Sequence, residues 1–208
     1  MCIRDSMSAM YLEQDAVMGN EIYFFATDST NGYELWKSDG TESGTVMVKD
    51  INNGSGSSIP FSNSALSVNS NIHLKAMNNT NTLFFVANDG IHGEELWKTD
   101  GTASGTVMVK DINSANGNSG HSEIGEFTQM GSTLYFRADD GTNGQELWKT
   151  DGTSSGTVMV KDINPGNAGV VDCNCLRAIT VVGNTLYFTA DDGTHGEELW
   201  KSDGTTSG

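Results

Sequence analysis

Proline is nearly missing from this chain: Pro60 and Pro165 are the two it has in 208 residues. Its 25 glycines therefore serve tight turns, where glycine reaches positive φ at no steric cost. They are not part of a Pro/Gly linker composition. Basic residues are scarce as well, 11 Lys and Arg against 27 Asp and Glu, for a net charge of −16. That balance excludes nucleic acid as a partner, because a phosphate backbone needs a basic patch. It also argues against anionic membrane surfaces, and it fits solubility, cation binding or an extracellular setting. Long apolar runs are lacking. None approaches the roughly 18 residues of a membrane-spanning helix, so no membrane insertion is expected, and none reads as a signal-peptide core.

Cysteine is rare, with three in the chain. Cys2 lies in an opening stretch, Met1-Cys2-Ile3-Arg4-Asp5-Ser6, that resembles translated linker and is followed by a second Met at Met7. Residues 1–8 are read as a non-native leader, so the native N-terminus and any targeting signal are expected to lie elsewhere. Cys173 and Cys175 form a C-x-C. It reads either as a small redox or metal pair or as two cysteines in a divergent loop. A structural zinc site wants four ligands and no second pair exists, which favours the loop.

What the sequence has is a repeat. Glu34-Leu35-Trp36-Lys37-Ser38-Asp39-Gly40-Thr41 recurs at 95–102, 146–153 and 198–205, changed only by Ser or Thr before the Asp. The tryptophans fall at intervals of 61, 51 and 52, so the first interval carries an insertion. Repeat three divides into four strand-like pieces. Residues 124–130 form a weak strand A. Residues 133–138 form strand B, with Leu134, Phe136 and Ala138 on one side. Strand C, 146–150, sets Glu146 and Trp148 on one face and Leu147 on the other. Strand D covers 157–163. Gly131-Ser132, Asp140-Gly141-Thr142-Asn143-Gly144 and Asp151-Gly152-Thr153 supply hairpin chemistry between them. No stretch keeps a helical apolar period with caps.

Four antiparallel strands repeated at about 50 residues are the signature of propeller blades. The fold expected is all-β: tandem four-stranded blades of a β-propeller over 9–208, at about 9–51, 70–112, 122–163 and 176–208. Ser207-Gly208 aligns with Ser155-Gly156, so the fourth strand D is absent. An open or partial ring of a longer parent is expected, with 198–202 exposing an unpaired edge. The first strand A, around 12–18, matches the repeat least.

The repeated E-L-W-K-[ST]-D-G-T-x-x-G-T-V-M-V-K-D-I resembles the ELWxxDGT repeat family of large bacterial surface or secreted proteins, some labelled hyalin-like. The resemblance covers about residues 10–208 and occurs four times in register. It implies a propeller-like array at the cell surface or outside the cell, and no agreed catalytic activity.

Recurrent residues are first suspected of holding the blades together. Trp36, Trp97, Trp148 and Trp200 read as wedges between blades, the other reading being a carbohydrate-stacking platform. Asp39, Asp100, Asp151 and Asp203 read as turn caps, the other reading being cation ligands. Glu34, Glu95, Glu146 and Glu198 recur with Lys49, Lys110 and Lys161, which predicts blade-to-blade ion pairs.

The C–D loops are nearly invariant, whereas the D–A connections 52–71, 113–123 and 164–175 share little beyond polarity. Binding concentrates on loops that vary over a rigid scaffold, so the working face is assigned to the B–C and D–A side. The B–C loops carry Asp28, Asp89, Asp139, Asp140, Asp191 and Asp192, candidate calcium ligands that lack the order of dedicated calcium loops. His92 and His195 stand where Asn31 and Asn143 occur, as turn residues would. The off-repeat polar residues His73, Lys75, His121, Glu123, Glu126, Asp172 and Arg177 match no catalytic motif. No catalytic residue and no cofactor is assigned. The expected function is a non-enzymatic binding or scaffolding module for a glycan or protein partner. The alternatives are a piece of a polysaccharide hydrolase or lyase with its catalytic residues elsewhere, and a calcium-stabilised array.

Overall fold

The computed structural model describes residues 8–9, 15–28, 30–59, 73–78, 80–114, 117, 120–165 and 176–208. Among them there is no α-helix, and no helix long and apolar enough to cross a membrane. Cys173, Cys175, Asp172 and residues 1–7 lie outside the described residues, as do parts of the D–A connections.

The chain folds as four antiparallel sheets. The first holds β1 (Ser8–Ala9), β2 (Ala16–Met18), β3 (Glu21–Thr27), β4 (Glu34–Ser38) and β5 (Val46–Lys49). The second holds β6 (Leu74–Ala76), β7 (Leu83–Asn88), β8 (Glu94–Thr99) and β9 (Val107–Lys110). The third holds β10 (Gly125–Met130), β11 (Thr133–Asp139), β12 (Gln145–Thr150) and β13 (Val158–Lys161). The fourth holds β14 (Arg177–Val182), β15 (Thr185–Asp191) and β16 (Glu197–Ser202). The second, third and fourth are meanders in chain order, as are β3, β4 and β5 of the first. In the first sheet β1 meets Ala26 and Thr27, and β2 meets Glu21, Ile22 and Tyr23, on one edge of β3.

The last strand is shorter than the sequence pattern predicts. It ends at Lys161 because the Ile163 N–H turns to the Glu146 carboxyl instead of extending the ladder. A register shift also falls between Leu and Trp of the third strand in each of the first three sheets, placing one extra residue on the last strand. Such a bulge bends the strand and tightens its twist.

Strand alternation gives each of the first three sheets two apolar faces, and the fourth sheet one. Tyr23, Phe25, Leu35 and Val48 of the first sheet meet Leu83, Phe85, Ala87 and Trp97 of the second. Phe84, Val86, Leu96 and Val109 of the second meet Leu134, Phe136, Ala138 and Trp148 of the third. Tyr135, Leu147 and Val160 of the third meet Ile179, Leu186, Phe188 and Ala190 of the fourth. The sheets therefore stack in chain order, and their first strands touch, β2 against β6 and β10 against β14. Phe25 and Phe85 cross one such junction edge to face, with centroids 6.3 Å apart, a favoured arrangement of ring quadrupoles.

The lysines cross the same junctions. Lys49 Nζ donates to Thr106 O at 2.8 Å and Lys110 Nζ to Thr157 O at 2.9 Å. Lys98 Nζ donates to Gly152 O and Lys149 Nζ to Gly204 O, both at 2.8 Å. The predicted ion pairs from Glu34, Glu95, Glu146 and Glu198 to Lys49, Lys110 and Lys161 therefore do not form. Lys49 lies opposite Leu35 in the ladder, so it leaves on the face of Leu35, toward the next sheet. Glu34 alternates to the other side. Lys37 departs from the pattern and pairs with Glu21 at 3.0 Å within its own sheet.

Glycine is required where the C–D turn meets the preceding sheet. Gly101 and Gly204 sit at φ 89° and 84°, and a Cβ on either would collide with the hydroxyl of Tyr23 or Tyr135. Trp148, 6% exposed, fills the second junction with the Lys110 ammonium 5.8 Å from its ring centroid. Trp148→Ala is expected to lower unfolding stability by about 3–5 kcal/mol. Urea denaturation measures it, and a loss under about 1 kcal/mol would remove Trp148 from the junction core.

Candidate functional site: the edge of the B–C and D–A loops

The two edges of the stack differ in kind. At the C–D edge one turn is built four times. Asp39, Asp100, Asp151 and Asp203 each accept from the N–H and the hydroxyl of the threonine two residues on, at 2.8–2.9 and 2.7 Å. The threonine hydroxyl, then its N–H, holds each of these carboxyls below the usual range. The hydroxyls of Thr41, Thr102 and Thr153 then accept from the N–H groups of Gly44, Gly105 and Gly156. This edge is uniform.

The B–C loops follow their own rule. Asp28, Asp89, Asp140 and Asp192 each accept through Oδ1 from two backbone N–H groups of their own loop. The side chain three residues on closes the loop: Asn31, Asn143, His92 at 2.7 Å or His195 at 2.9 Å. Asp139 and Asp191 cap Gly141 and Gly193 at 2.7 Å. All six calcium candidates are thus occupied with their own turns. Hydrogen bonding from His195 holds the Asp192 carboxyl down to about 2, and the same bond raises His195. Asp192, His195 and Glu198 bring their ligand atoms within 4.8 Å of one another, a grouping found once among the described residues.

The D–A connections share more than the sequence suggests. Each opens with an asparagine, Asn52, Asn113 or Asn164, whose side chain lies against the B–C glycine of the next sheet, Gly90, Gly141 or Gly193. Ser58 and Ser122 thread between neighbouring B–C loops. The Ser58 N–H donates to Tyr33 O while its carbonyl accepts from Asn88, and Ser122 repeats this with Glu94 and Asp139.

Beneath these loops sits a buried carboxyl in each of the first three sheets. Glu34 accepts from the N–H groups of Ile51 and Asn52 at 3.0 and 3.2 Å. Glu95 accepts from Ile112, Asn113 and the Ser122 hydroxyl, the last at 2.6 Å. Glu146 accepts from Ile163 and Asn164. Burial dominates their titration and raises each to about 7, against the opposing pull of the N–H donors.

The off-repeat charges, scattered in sequence, gather at this edge beside the first strands of the second, third and fourth sheets. His73 Nε2 and an Arg137 terminal nitrogen both lie over Gly125, where a Cβ would stand 3.2 and 3.0 Å from them. Burial first, and then Arg137, lowers the His73 pKa. Burial also lowers that of Arg137, while Glu126 and Glu123 oppose it and Arg177 adds to it. Glu126 accepts from the Ala178 N–H at 3.1 Å, and Gln145 Nε2 donates to Glu123. His121 lies 3.7 Å from the Glu94 carboxylate.

Sequence reasoning missed Arg137. A signal for it existed. In strand B it occupies the position of Phe25, Val86 and Thr189, the one strand-B position on that face where a cation replaces an apolar or small residue. The set as a whole could hold a polar or charged group by several hydrogen bonds.

No protein-family model matches the chain, and no curated protein matches it.

The three buried glutamates fix a pH dependence. Their folded pKa values lie above the ordinary 4.5, so folding takes up protons between about pH 4.5 and 7. Their stabilising contribution is complete below that window and falls as pH rises through it, by at most about 1.4 kcal/mol per pH unit for each carboxyl. The urea midpoint is expected to drop from pH 5 to 7.5 and level off above. Glu146→Gln, neutral at every pH, should flatten about a third of that slope. A midpoint that rises over the same interval contradicts the burial of these groups.

Proposed function

We propose that the four sheets are consecutive blades of a β-propeller of the ELWxxDGT type, and that this module of a secreted or cell-surface protein binds without catalysis. Its partner, a glycan or a protein, meets the edge of the B–C and D–A loops. One observation carries the reading: the C–D edge repeats the same turn in every sheet, while the off-repeat charges His73, Glu123, Glu126, Arg137 and Arg177 converge on the opposite edge. A scaffold with one invariant and one individual edge divides the labour of folding from that of recognition.

Backbone strain supports the same edge. Glu123, Glu126 and Ala178 hold φ of 44°, 59° and 56°, and no other described non-glycine residue has positive φ. Such residues persist only where the surroundings hold them, and they concentrate at binding sites. Bulges accompany them in β10 and β14, as they do where a side chain is re-aimed. Stacking in chain order with first strands adjacent supports the radial arrangement of blades.

The test uses glycan and surface-protein arrays probed with the chain and two triple variants. His121→Ala/Glu123→Ala/Arg177→Ala alters exposed residues of the individual edge, and Ser43→Ala/Ser104→Ala/Ser155→Ala alters exposed residues of the uniform edge. Retention of array hits should fall at least about tenfold for the first variant, one rim-charge loss or more, and hold for the second. Loss confined to the second variant reverses the assignment.

A further inference from the structure

Arg137 is a half-buried cation with no anion in contact. Its Nε is enclosed and has no hydrogen-bond partner. Among the described residues no carboxylate stands within 4.0 Å of its nitrogens. Desolvating a guanidinium costs free energy that only hydrogen bonds and an opposite charge return. The stack does not require an arginine there, since the same strand position holds Phe25, Val86 and Thr189 in the other sheets.

The backbone lets this cation meet a second nitrogen. A bulge in β10 between Gly125 and Thr128 leaves Gly125 opposite Arg137 in the ladder. With no side chain on Gly125, the guanidinium lies over it. A Cβ there would stand 3.0 Å from an Arg137 terminal nitrogen and 3.2 Å from His73 Nε2. Two nitrogens so close to one point can be bridged by one carboxylate. His73 is placed by Phe127, with ring centroids 5.6 Å apart, and Phe127 by Phe136 at 6.1 Å. His73 makes no hydrogen bond to a described residue, and both side chains keep part of their surface in solvent.

The surroundings of the pair select the ligand. Glu126 acts electrostatically on His73 and Arg137, and Glu123 acts on Arg137. Each acid spends one oxygen on a fixed donor, the Ala178 N–H for Glu126 and Gln145 for Glu123, and keeps the other to accept. Burial first, and then Arg137, lowers the His73 pKa, so at neutral pH the pair carries the single charge of the guanidinium. Two acids beside one guanidinium disfavour a dianion such as a phosphate ester, and the net charge of −16 adds to that. They suit a monoanion whose neighbouring groups donate hydrogen bonds. A uronate is of that kind, one carboxylate beside ring hydroxyls. A glutamate side chain brings the carboxylate without the hydroxyls.

Resting on the reading that this edge meets the partner, we propose that Arg137 and His73 anchor the carboxylate of a uronic-acid residue in a glycan, and that Glu123 and Glu126 accept its hydroxyls. The site lies where the first strand of the second sheet meets the third, and the Ala178 N–H of the fourth sheet holds Glu126 beside it.

The probes are three disaccharides that carry glucuronate, galacturonate or mannuronate on a neutral sugar, titrated into the 208-residue chain by calorimetry. Saturable one-to-one binding of at least one is expected. Its methyl ester, which keeps the hydroxyls and loses the charge, should bind at least about tenfold more weakly. Arg137→Thr installs the residue that the fourth sheet carries there, so this variant should fold with an unchanged or higher melting temperature and lose about tenfold or more in affinity. Gly125→Ala keeps every charge, fills the point where the two nitrogens meet, and should weaken binding as well. Absence of saturable binding by all three at millimolar sugar, equal affinity for the ester, or unaltered affinity in either variant overturns the proposal. So does equal binding of the peptide acetyl-Gly-Glu-Gly-amide, which would make an acidic protein segment the occupant. The reading of the edge itself stands or falls separately, by whether array hits depend on His121, Glu123 and Arg177.

Discussion

Each of the first three sheets in this protein is apolar on both faces, and that constraint governs the rest. A half-buried sheet would show water one polar row. Here β7 turns Leu83, Phe85 and Ala87 one way and Phe84 and Val86 the other, and all five are buried. Such a strand gains stability only between two neighbours, since burial of apolar area is the main favourable term in folding. The sheets must therefore stack, and each contact is made with the next repeat in the chain. The polar groups that cross the junctions serve the same stacking: lysine ammonium groups on carbonyls of the next sheet, and glycine where a tyrosine hydroxyl approaches the backbone.

Stacking separates the two edges of the structure by role. At the C–D edge an aspartate and a threonine close the same turn in each repeat. At the B–C and D–A edge the buried glutamates anchor the exit of the last strand, which frees the connection beyond it to differ. The first exit leads from Asn52 to Ser58 and the second from Asn113 to Ser122, through segments of different length and composition. The N–H groups that open each exit, those of Ile51 and Asn52, Ile112 and Asn113, and Ile163 and Asn164, hold the glutamates in the same way in all three sheets.

The repeat made most of the fold legible in the sequence. Trp36, Trp97, Trp148 and Trp200 give the period, Asp-Gly turns give the boundaries, and alternation in 133–138 gives the faces. Strand A was harder to place, because short segments such as Leu74–Ala76 carry little pattern. The role of Glu34, Glu95 and Glu146 was misread for a physical reason: a recurrent acid and a recurrent base suggest a pair, yet alternation sends them to opposite faces. The gathering of His73, Glu126 and Arg137 could not be read either, since it depends on the second and third sheets meeting and not on spacing within one. Arg137 alone left a trace, a cation at an apolar position of strand B.

Mutual dependence of the sheets has a direct measure in native-state hydrogen exchange, which reports the free energy of opening at each amide. The amides of β7 and β11, central strands of the second and third sheets, should exchange only through one shared global opening, with the same free energy and the same denaturant dependence, while those of β16 exchange first. If β7 and β11 open with clearly different free energies, each sheet is stable by itself and stacking is not what holds the protein together.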